Sequence, residues 1–294
     1  MSLTIVTDST SDIHPERGVE LGVTVVPLFV VFGDESLRDY IDIGRPEFYD
    51  RLRNGKILPT TSQPSAAMFE AAFQPAAQRG DDVLCITISS VLSGTINAAR
   101  AAAKSFPNTR IELFDSLNAA GGLQYFVEDA AAMASAGASL DEILARLEVL
   151  REKTCLFASL PDLSHLQRTG RIGRAQAVVG GIMKILPILS LDAGAVVSHA
   201  QVRTFKRAQE RILDLACEAA AARAPARLRV MHTQEPQLAE DIYERLLARL
   251  GDAPAAADIL EAGPVIASHA GPGAIGVFVT SAAGVPMHPI EGGP

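Results

Sequence analysis

Two hydroxyl-rich stretches carry the side chains best suited to hold a small anion. Residues 89–95 (Ser-Ser-Val-Leu-Ser-Gly-Thr) lie between an apolar run and a helix-favouring segment, and residues 60–65 (Thr-Thr-Ser-Gln-Pro-Ser) lead into a helix predicted from 64 to about 78. The first turn of a helix has N–H groups without helical partners at the positive end of the dipole, where an anion is favoured. The two stretches therefore predict two helix starts that face one carboxylate.

The same residue types have a plainer use, because serine and threonine are common helix caps and turn residues. A lone Ser-Gly-Thr turn such as residues 93–95 is more often a cap than a ligand site. The residues by themselves leave both roles open.

A second chemistry would use Ser93 as a nucleophile. Ser93, His269 and an aspartate such as Asp8 could form a nucleophile, a base and an orienting carboxylate, because such triads are defined in space rather than in sequence. However, the chain has no G-x-S-x-G elbow, no G-x-x-x-x-G-K-[ST] phosphate loop and no G-x-G-x-x-G after a strand. Ester hydrolysis therefore stays an alternative to anion binding.

Two further residues could reach an anion. His269 precedes Gly-Pro-Gly, where small residues let a backbone approach a ligand closely, although a lone histidine is more often structural. Arg203 can donate in a fork to a carboxylate or phosphate, and its plainer interpretation is a solvated surface charge. The six histidines show no close spacing for a metal, so we expect no metal site and no cofactor.

Composition limits the class of protein and its partners. A chain of 294 residues with 48% apolar and 5% aromatic residues has room for two domains with largely aliphatic cores. The net charge of −8 argues against nucleic acid or an anionic membrane as a partner, since both favour basic surfaces. Because the early residues lack a signal-peptide pattern and no apolar segment has bilayer length, we expect a cytoplasmic protein.

The elements that must position these residues alternate between strand and helix up to about residue 155. Apolar runs at 3–7, 83–88 and 110–114 are each followed by Asp or Ser, which predicts parallel strands with polar groups at their carboxyl edge. Further on, residues 192–194 (Asp-Ala-Gly) separate two extended runs and predict a hairpin. We predict an α/β protein of two domains. Residues 1–157 would form a mostly parallel, helix-covered sheet, and residues 158–290 an α/β domain with antiparallel pairing.

Six motifs, spread over nearly the whole chain, carry a resemblance to a known family. They are V-T-D-S-T-S-D at 6–12, T-S-Q-P-S at 61–65, S-S-V-L-S-G-T at 89–95, D-S at 115–116, G-R-I at 170–172 and H-A-G-P-G-A at 269–274. In this order they resemble the DegV family of bacterial fatty-acid-binding proteins.

The resemblance implies a lipid-binding carrier without catalysis of its own. One long-chain fatty acid would lie in an apolar tunnel between the two domains, with candidate lining at 178–189 and with its carboxylate at the hydroxyl turns. The implied ligand-binding residues are Thr61, Ser62, Ser93, Gly94, Thr95, His269 and Gly271. A separate ATP-dependent fatty acid kinase, contacted through Arg171 and Arg203, would convert the bound acid to acyl phosphate for phospholipid synthesis. Transient membrane contact during delivery is left open.

Some positions depart from the family pattern, and two other functions remain as alternatives. Ala120, Gln124 and Thr169 stand where the family more often has Ser, Gly and Gly. The alternatives are a small-ester hydrolase that uses Ser93 and His269, and a subunit resembling the dihydroxyacetone kinase binding protein, which would bind a small polar ligand. The abundance of aliphatic residues does not separate the three, since any core would use them.

Overall fold

The computed structural model describes residues 2–178, 185–251 and 254–284. The chain divides into two compact units. The first contains the chain up to Val149 together with Gly263–Ser268, and the second contains Leu150–Ala262 and the chain from His269 onward. The sequence placed a domain boundary between residues 157 and 158, and this boundary stays a prediction.

The first unit begins as an alternation of strands and helices. In order these are β1 (Leu3–Asp8), α1 (Pro15–Leu21), β2 (Val23–Val26), β3 (Phe29–Phe32), β4 (Glu35–Arg38), α2 (Arg45–Asn54), β5 (Thr60–Ser62), α3 (Ala66–Arg79), β6 (Asp82–Thr87), α4 (Thr95–Ala103), β7 (Ile111–Asp115), α5 (Ala120–Ser135) and α6 (Leu140–Lys153). A short 3-10 helix, Ser9–Ser11, follows β1. Helix α6 extends past Val149, so its last residues belong to the second unit.

The predicted parallel sheet is confirmed. Among the described strands its order is β2-β1-β6-β7, and every pairing is parallel. The aliphatic strands pack against α3 and α4 through a buried cluster that includes Val6, Cys85 and Phe69. Parallel strands end at the same edge, so the residues after β1, β6 and β7 come together there.

Residues 61 and 62 lie in a strand rather than at a helix start, which corrects the prediction for this stretch. β5 pairs antiparallel with β3, with Thr61 opposite Val30, and β3 also pairs with β4. Helix α3 begins only at Ala66, with Ser65 as its N-cap. Proline restrains the preceding residue to extended backbone, which favours a late helix start. The partner strand β3 is distant in sequence, so local pattern did not reveal the pairing.

The second unit contains β8 (Cys155–Ser159), α7 (Ser164–Arg168), β9 (Leu186–Asp192), β10 (Ala195–Val202), α8 (Phe205–Ala221), β11 (Ala226–His232), α9 (Pro236–Leu250), β12 (Ala256–Glu261) and β13 (Ile275–Ser281). Helix α10 (Pro264–Ala270) has its last residues in this unit and its earlier ones in the first. A 3-10 helix, Gly173–Val178, precedes β9.

Antiparallel pairing in the second half is also confirmed. Among the described strands the sheet has the order β10-β9-β8-β13-β11-β12, and only the β11–β12 pair is parallel. The predicted hairpin joins β9 to β10 through Ala193 and Gly194, whose φ angles of 46° and 79° match the tight turn that suits twisted strands. Of the lining candidates at 178–189, residues 179–184 lie outside the described residues.

Candidate ligand-binding site

The carboxyl edge of the parallel sheet is tied together by the side chain of Asp8. Its Oδ1 accepts hydrogen bonds from the backbone N–H of Thr10, at 3.0 Å, and from the Thr10 hydroxyl. Its Oδ2 accepts from the N–H of Ile88 at 2.8 Å. Despite these donors, complete burial raises the pKa of Asp8 to about 6. Asp8 therefore joins the end of β1 to the start of the hydroxyl-rich turn after β6.

The same turn is held from its other side by the loop after β7. The N–H of Ser89 donates to the carbonyl of Asn118 at 2.8 Å, and the N–H of Ser90 donates to the Asp115 carboxylate at 3.2 Å. The Ser116 hydroxyl donates to the carbonyl of Thr87 at 2.8 Å. Hydrogen bonds to three strand ends thus fix the backbone that leads into Ser93.

Ser93, Gly94 and Thr95 form the start of α4. The Ser93 and Thr95 hydroxyls lie 2.8 Å apart in a hydrogen bond, with Ser93 half-buried and Thr95 fully buried. Gly94 is the N-cap residue, and no side chain caps the helix at this position. The helix start therefore combines two hydroxyl groups with the positive end of a helix dipole, a combination suited to an anion.

The second hydroxyl stretch reaches the first through Gln63. A Cβ placed on Gly94 would lie 3.1 Å from Cδ and 3.4 Å from Nε2 of Gln63, and closer still to its Oε1. Gln63 directly follows β5, in which Thr61 is half-buried and Ser62 is exposed. The two stretches therefore lie close together. The contact is between Gln63, which follows the end of β5, and the start of α4, rather than between two helix starts.

His269 lies in the second unit, in the last turn of α10, where its ring is held by Thr169. His269 Nδ1 and the Thr169 hydroxyl are 2.8 Å apart, and the same hydroxyl lies 2.8 Å from the carbonyl of His165. A hydroxyl has one hydrogen to donate, so it donates to one of these two acceptors at a time. When it donates to Nδ1, the N–H of the neutral imidazole is on Nε2, the tautomer that can donate to a carboxylate.

The surroundings of His269 are positively charged. Burial, the nearby guanidinium groups of Arg171 and Arg168 and a smaller effect of His165 together lower the pKa of its imidazole to about 3. Arg171 Nη1 donates to the carbonyl of Thr169 at 2.5 Å. A neutral imidazole beside two guanidinium groups is an environment that favours an anion over a cation.

Gly271 packs against His165, a neighbour of His269, whereas Arg203 is exposed after β10. Gly271 has a φ of 72°, and a Cβ there would lie 2.7 Å from the ring of His165, so glycine is needed for this close approach. Its carbonyl accepts from the Thr233 hydroxyl at 2.7 Å. Arg203 is exposed in the bend after β10, just beyond the strand-like run in which the sequence placed it.

Sequence reasoning named three residues without predicting the contacts that they make. Gln63 was part of a motif, Asp8 was considered only as the orienting carboxylate of a catalytic triad, and Thr169 was noted only as a departure from the family pattern. For Thr169 a signal existed, because a hydroxyl at a position commonly held by glycine adds a donor and an acceptor. For Gln63 and Asp8 the deciding contacts lie 31 and 80 positions away in sequence, which no local pattern reveals.

The described ranges contain neither a candidate metal centre nor a candidate membrane span. Over residues 2–178, 185–251 and 254–284, no group of three or more His, Cys, Asp and Glu side chains could hold a metal ion. Over the same ranges, no helix combines the length and the apolar character needed to cross a bilayer.

Known proteins resemble this chain in sequence and in fold. A family model described as "Uncharacterised protein, DegV family" matches residues 2–282. The chain belongs to the DegV family. It is similar to the DegV domain-containing protein of Halalkalibacterium halodurans, with 36% identity over 276 residues that cover 94% of this chain and 97% of that protein.

Two solved structures of DegV proteins share the fold. DegV of Bacillus subtilis, described as a fatty acid binding protein, has a TM-score of 0.88 and 33% identity, covering 96% of this chain and 99% of its own. A DegV family protein of Thermus thermophilus, described in terms of its fatty acid binding, has a TM-score of 0.87 and 37% identity, covering 96% of this chain and 100% of its own. These two proteins, described as binding fatty acids, share the fold over almost the whole chain.

Proposed function

We propose that this protein binds one long-chain fatty acid and presents it to a separate ATP-dependent fatty acid kinase, which forms the acyl phosphate. The observation that carries the proposal is the whole-chain likeness to two fatty-acid-binding DegV proteins at 33% and 37% identity. The protein itself acts as a carrier in phospholipid metabolism, without catalysis of its own and without a cofactor. Its place of action is the cytoplasm.

The carboxylate binds at the start of α4. Ser93 and Thr95 supply hydroxyl groups. Gly94 has no side chain, which lets Gln63 pack against the helix start and brings the end of β5, with Thr61 and Ser62, close to it. We also assign His269 to ligand binding, because the charges of Arg168 and Arg171 make its setting favourable for an anion. These donors offset the cost of removing a carboxylate from water, which is high without hydrogen-bond partners.

The acyl chain supplies most of the binding free energy. Burial of each CH₂ contributes about 0.8 kcal/mol, so a sixteen-carbon acid gains on the order of 10 kcal/mol before the cost of ordering. The largely aliphatic composition, with no tryptophan and 5% aromatic residues, is suited to line such a chain. Binding of a long acyl chain also distinguishes this proposal from the alternative, in which the protein binds a small polar ligand.

Arg171 and Arg203 are the residues we assign to the kinase contact. Arg203 is exposed between β10 and α8, where a partner protein can reach it. Arg203→Ala should leave fatty acid content unchanged and slow ATP-dependent acyl phosphate formation when the kinase is added. Equal acyl phosphate rates for the two proteins would remove Arg203 from the contact.

Mass spectrometry of the organic extract tests the binding function directly. Protein purified without added ligand should release a stoichiometric long-chain fatty acid. The variant Ser93→Ala with Thr61→Ala should retain less of it, about tenfold less if each lost hydrogen bond contributes about 0.7 kcal/mol. The matched control replaces exposed strand residues, Ser36→Ala with Thr24→Ala, and should retain the wild-type amount.

Two outcomes would contradict the proposal. Equal lipid content in the Ser93/Thr61 variant and its control would remove the carboxylate site from this helix start. Wild-type protein that is free of lipid and cannot be loaded would contradict fatty acid binding itself, and ester hydrolysis and small polar ligands would then be assayed.

A further inference from the structure

The start of α10 is held by a chain of side chains from the opening motif and from the segment after β4. The N–H of Gly263 donates to Oδ1 of Asp12 at 2.9 Å, across 251 positions of sequence. The Tyr40 hydroxyl donates to the same oxygen at 3.3 Å and accepts from Nη2 of Arg45 at 3.1 Å. Each donor thus meets an acceptor, in the order Arg45, Tyr40, Asp12. We call Asp12, Tyr40 and Gly263 the α10 clamp.

The clamp is built at a conformational cost, which indicates that its position matters. Asp12 and Tyr40 have φ angles of 57° and 61°, in the left-handed region that residues other than glycine adopt only rarely. Asp12 is only 3% exposed, so its carboxyl depends on these hydrogen bonds.

Gly263 lets the clamp close. A Cβ at this position would lie 2.6 Å from Oδ1 of Asp12 and closer to the Tyr40 hydroxyl, so any side chain would force the clamp apart. The carbonyl of Gly263 accepts the first helical hydrogen bond, from Ala267 at 2.9 Å, which makes Gly263 the N-cap of α10. The clamp therefore fixes the first residue of the helix.

The other end of this helix carries His269. A helix of seven residues is about 10 Å long and holds its first and last residues at a fixed separation and rotation. The ring of His269 is fixed separately by Thr169. We propose that Asp12 and Tyr40 are positioning residues for His269, because they fix the start of the helix that carries its imidazole. This inference rests on the proposed function, in which His269 binds the carboxylate of the fatty acid.

A double-mutant cycle separates positioning from general stability. The variants are Tyr40→Phe, Asp12→Asn and His269→Ala, singly and with each clamp variant combined with His269→Ala. The readout is the affinity for palmitate, measured by displacement of a fluorescent fatty acid. Each clamp variant should lower palmitate affinity about threefold to tenfold in the wild-type background, the range expected from one lost hydrogen bond. In the His269→Ala background the same change should have an effect below twofold.

Asp129→Asn is the matched control. Asp129 is a buried carboxylate in the first unit, paired with Arg146 at 2.9 Å, and lies far in sequence from the clamp. If it changes palmitate affinity, it should do so equally in both backgrounds. Should Asp12→Asn fail to fold, Tyr40→Phe still tests the clamp, because it removes only one hydroxyl group.

The possible failures are distinguishable. If the clamp variants lower affinity equally with and without His269, or do not lower it at all, the positioning role is wrong and the proposed function stands. If His269→Ala itself leaves palmitate affinity unchanged while the protein binds palmitate, the inference and the role of His269 both fall. If the wild-type protein does not bind palmitate, the proposed function fails as well.

Discussion

At the residue scale, Thr169 determines how the ring of His269 is held. Its hydroxyl lies 2.8 Å from the carbonyl of His165 and 2.8 Å from Nδ1 of His269. A residue without a hydroxyl could supply neither contact. The tautomer of His269 therefore depends on this side chain.

Thr169→Val should weaken fatty acid binding while keeping the side-chain shape. The loss of one hydrogen bond is worth about 0.5–1.5 kcal/mol, so we expect a decrease of about twofold to tenfold in palmitate affinity. Thr169→Ser keeps the hydroxyl and should bind like the wild type. Nitrogen chemical shifts of the His269 ring should change in the valine variant only. Unchanged ring shifts in that variant would show that Thr169 does not set the tautomer.

At the element scale, the parallel strands meet at an edge where one carboxyl group joins two of them. Asp8 accepts from backbone groups after β1 and after β6, and its burial raises its pKa from 3.8 to about 6. A group whose pKa is higher in the folded state stabilises the fold below its unfolded pKa. That contribution is lost as pH rises through the folded pKa. Asp8 therefore stabilises this edge most below about pH 4 and least above about pH 6.

Asp8→Asn makes this dependence measurable, because asparagine does not titrate. The amide places a donor against the donors of Thr10 or Ile88, so we expect lower stability than wild type at pH 4.5. Between pH 4.5 and 7.5 the difference in unfolding free energy should shrink by on the order of 2 kcal/mol, as the wild type loses its contribution. Denaturant unfolding at both pH values gives the difference. The exposed Asp34→Asn variant is measured at the same two pH values as a control for the substitution itself, and a pH-independent gap for Asp8→Asn would refute the assignment.

At the scale of the whole molecule, binding of a fatty acid should stabilise the fold by mass action. A ligand that binds only the folded state at a free concentration of 100 times Kd adds about 2.7 kcal/mol to the free energy of unfolding. Palmitate should therefore raise the melting temperature of protein depleted of lipid, and the Ser93/Thr61 variant should show a smaller rise. Thermal unfolding with added palmitate measures both.

Palmitic acid methyl ester provides the control for this experiment. It has the same acyl chain without the carboxylate, so it should shift the melting temperature less than palmitate does. Equal shifts would indicate that the acyl chain alone is recognised, with no part for the hydroxyl turn. Release of methanol from the ester would instead favour the hydrolase alternative.

The amino-acid sequence by itself determined the local elements and their broad arrangement. Apolar β-branched runs that end in Asp or Ser predicted the strands of the parallel sheet, and residues 192–194 predicted the hairpin. The spacing of Ser139 and Glu142 is typical of a capping box at the start of α6, where the N–H of Ser139 donates to Glu142 at 2.8 Å. These features depend on residues within one or two turns of each other, so their spacing is sufficient evidence.

Only the tertiary structure decided how distant residues meet. It placed Thr61 in a strand, because β3 supplied hydrogen-bond partners that the neighbouring residues could not. It set Gln63 against Gly94, Thr169 against His269 and Asp12 against Gly263. Each of these contacts depends on how whole elements pack, and the free energy of packing is spread over many apolar side chains elsewhere. The spacing of the polar residues along the sequence therefore does not predict these contacts.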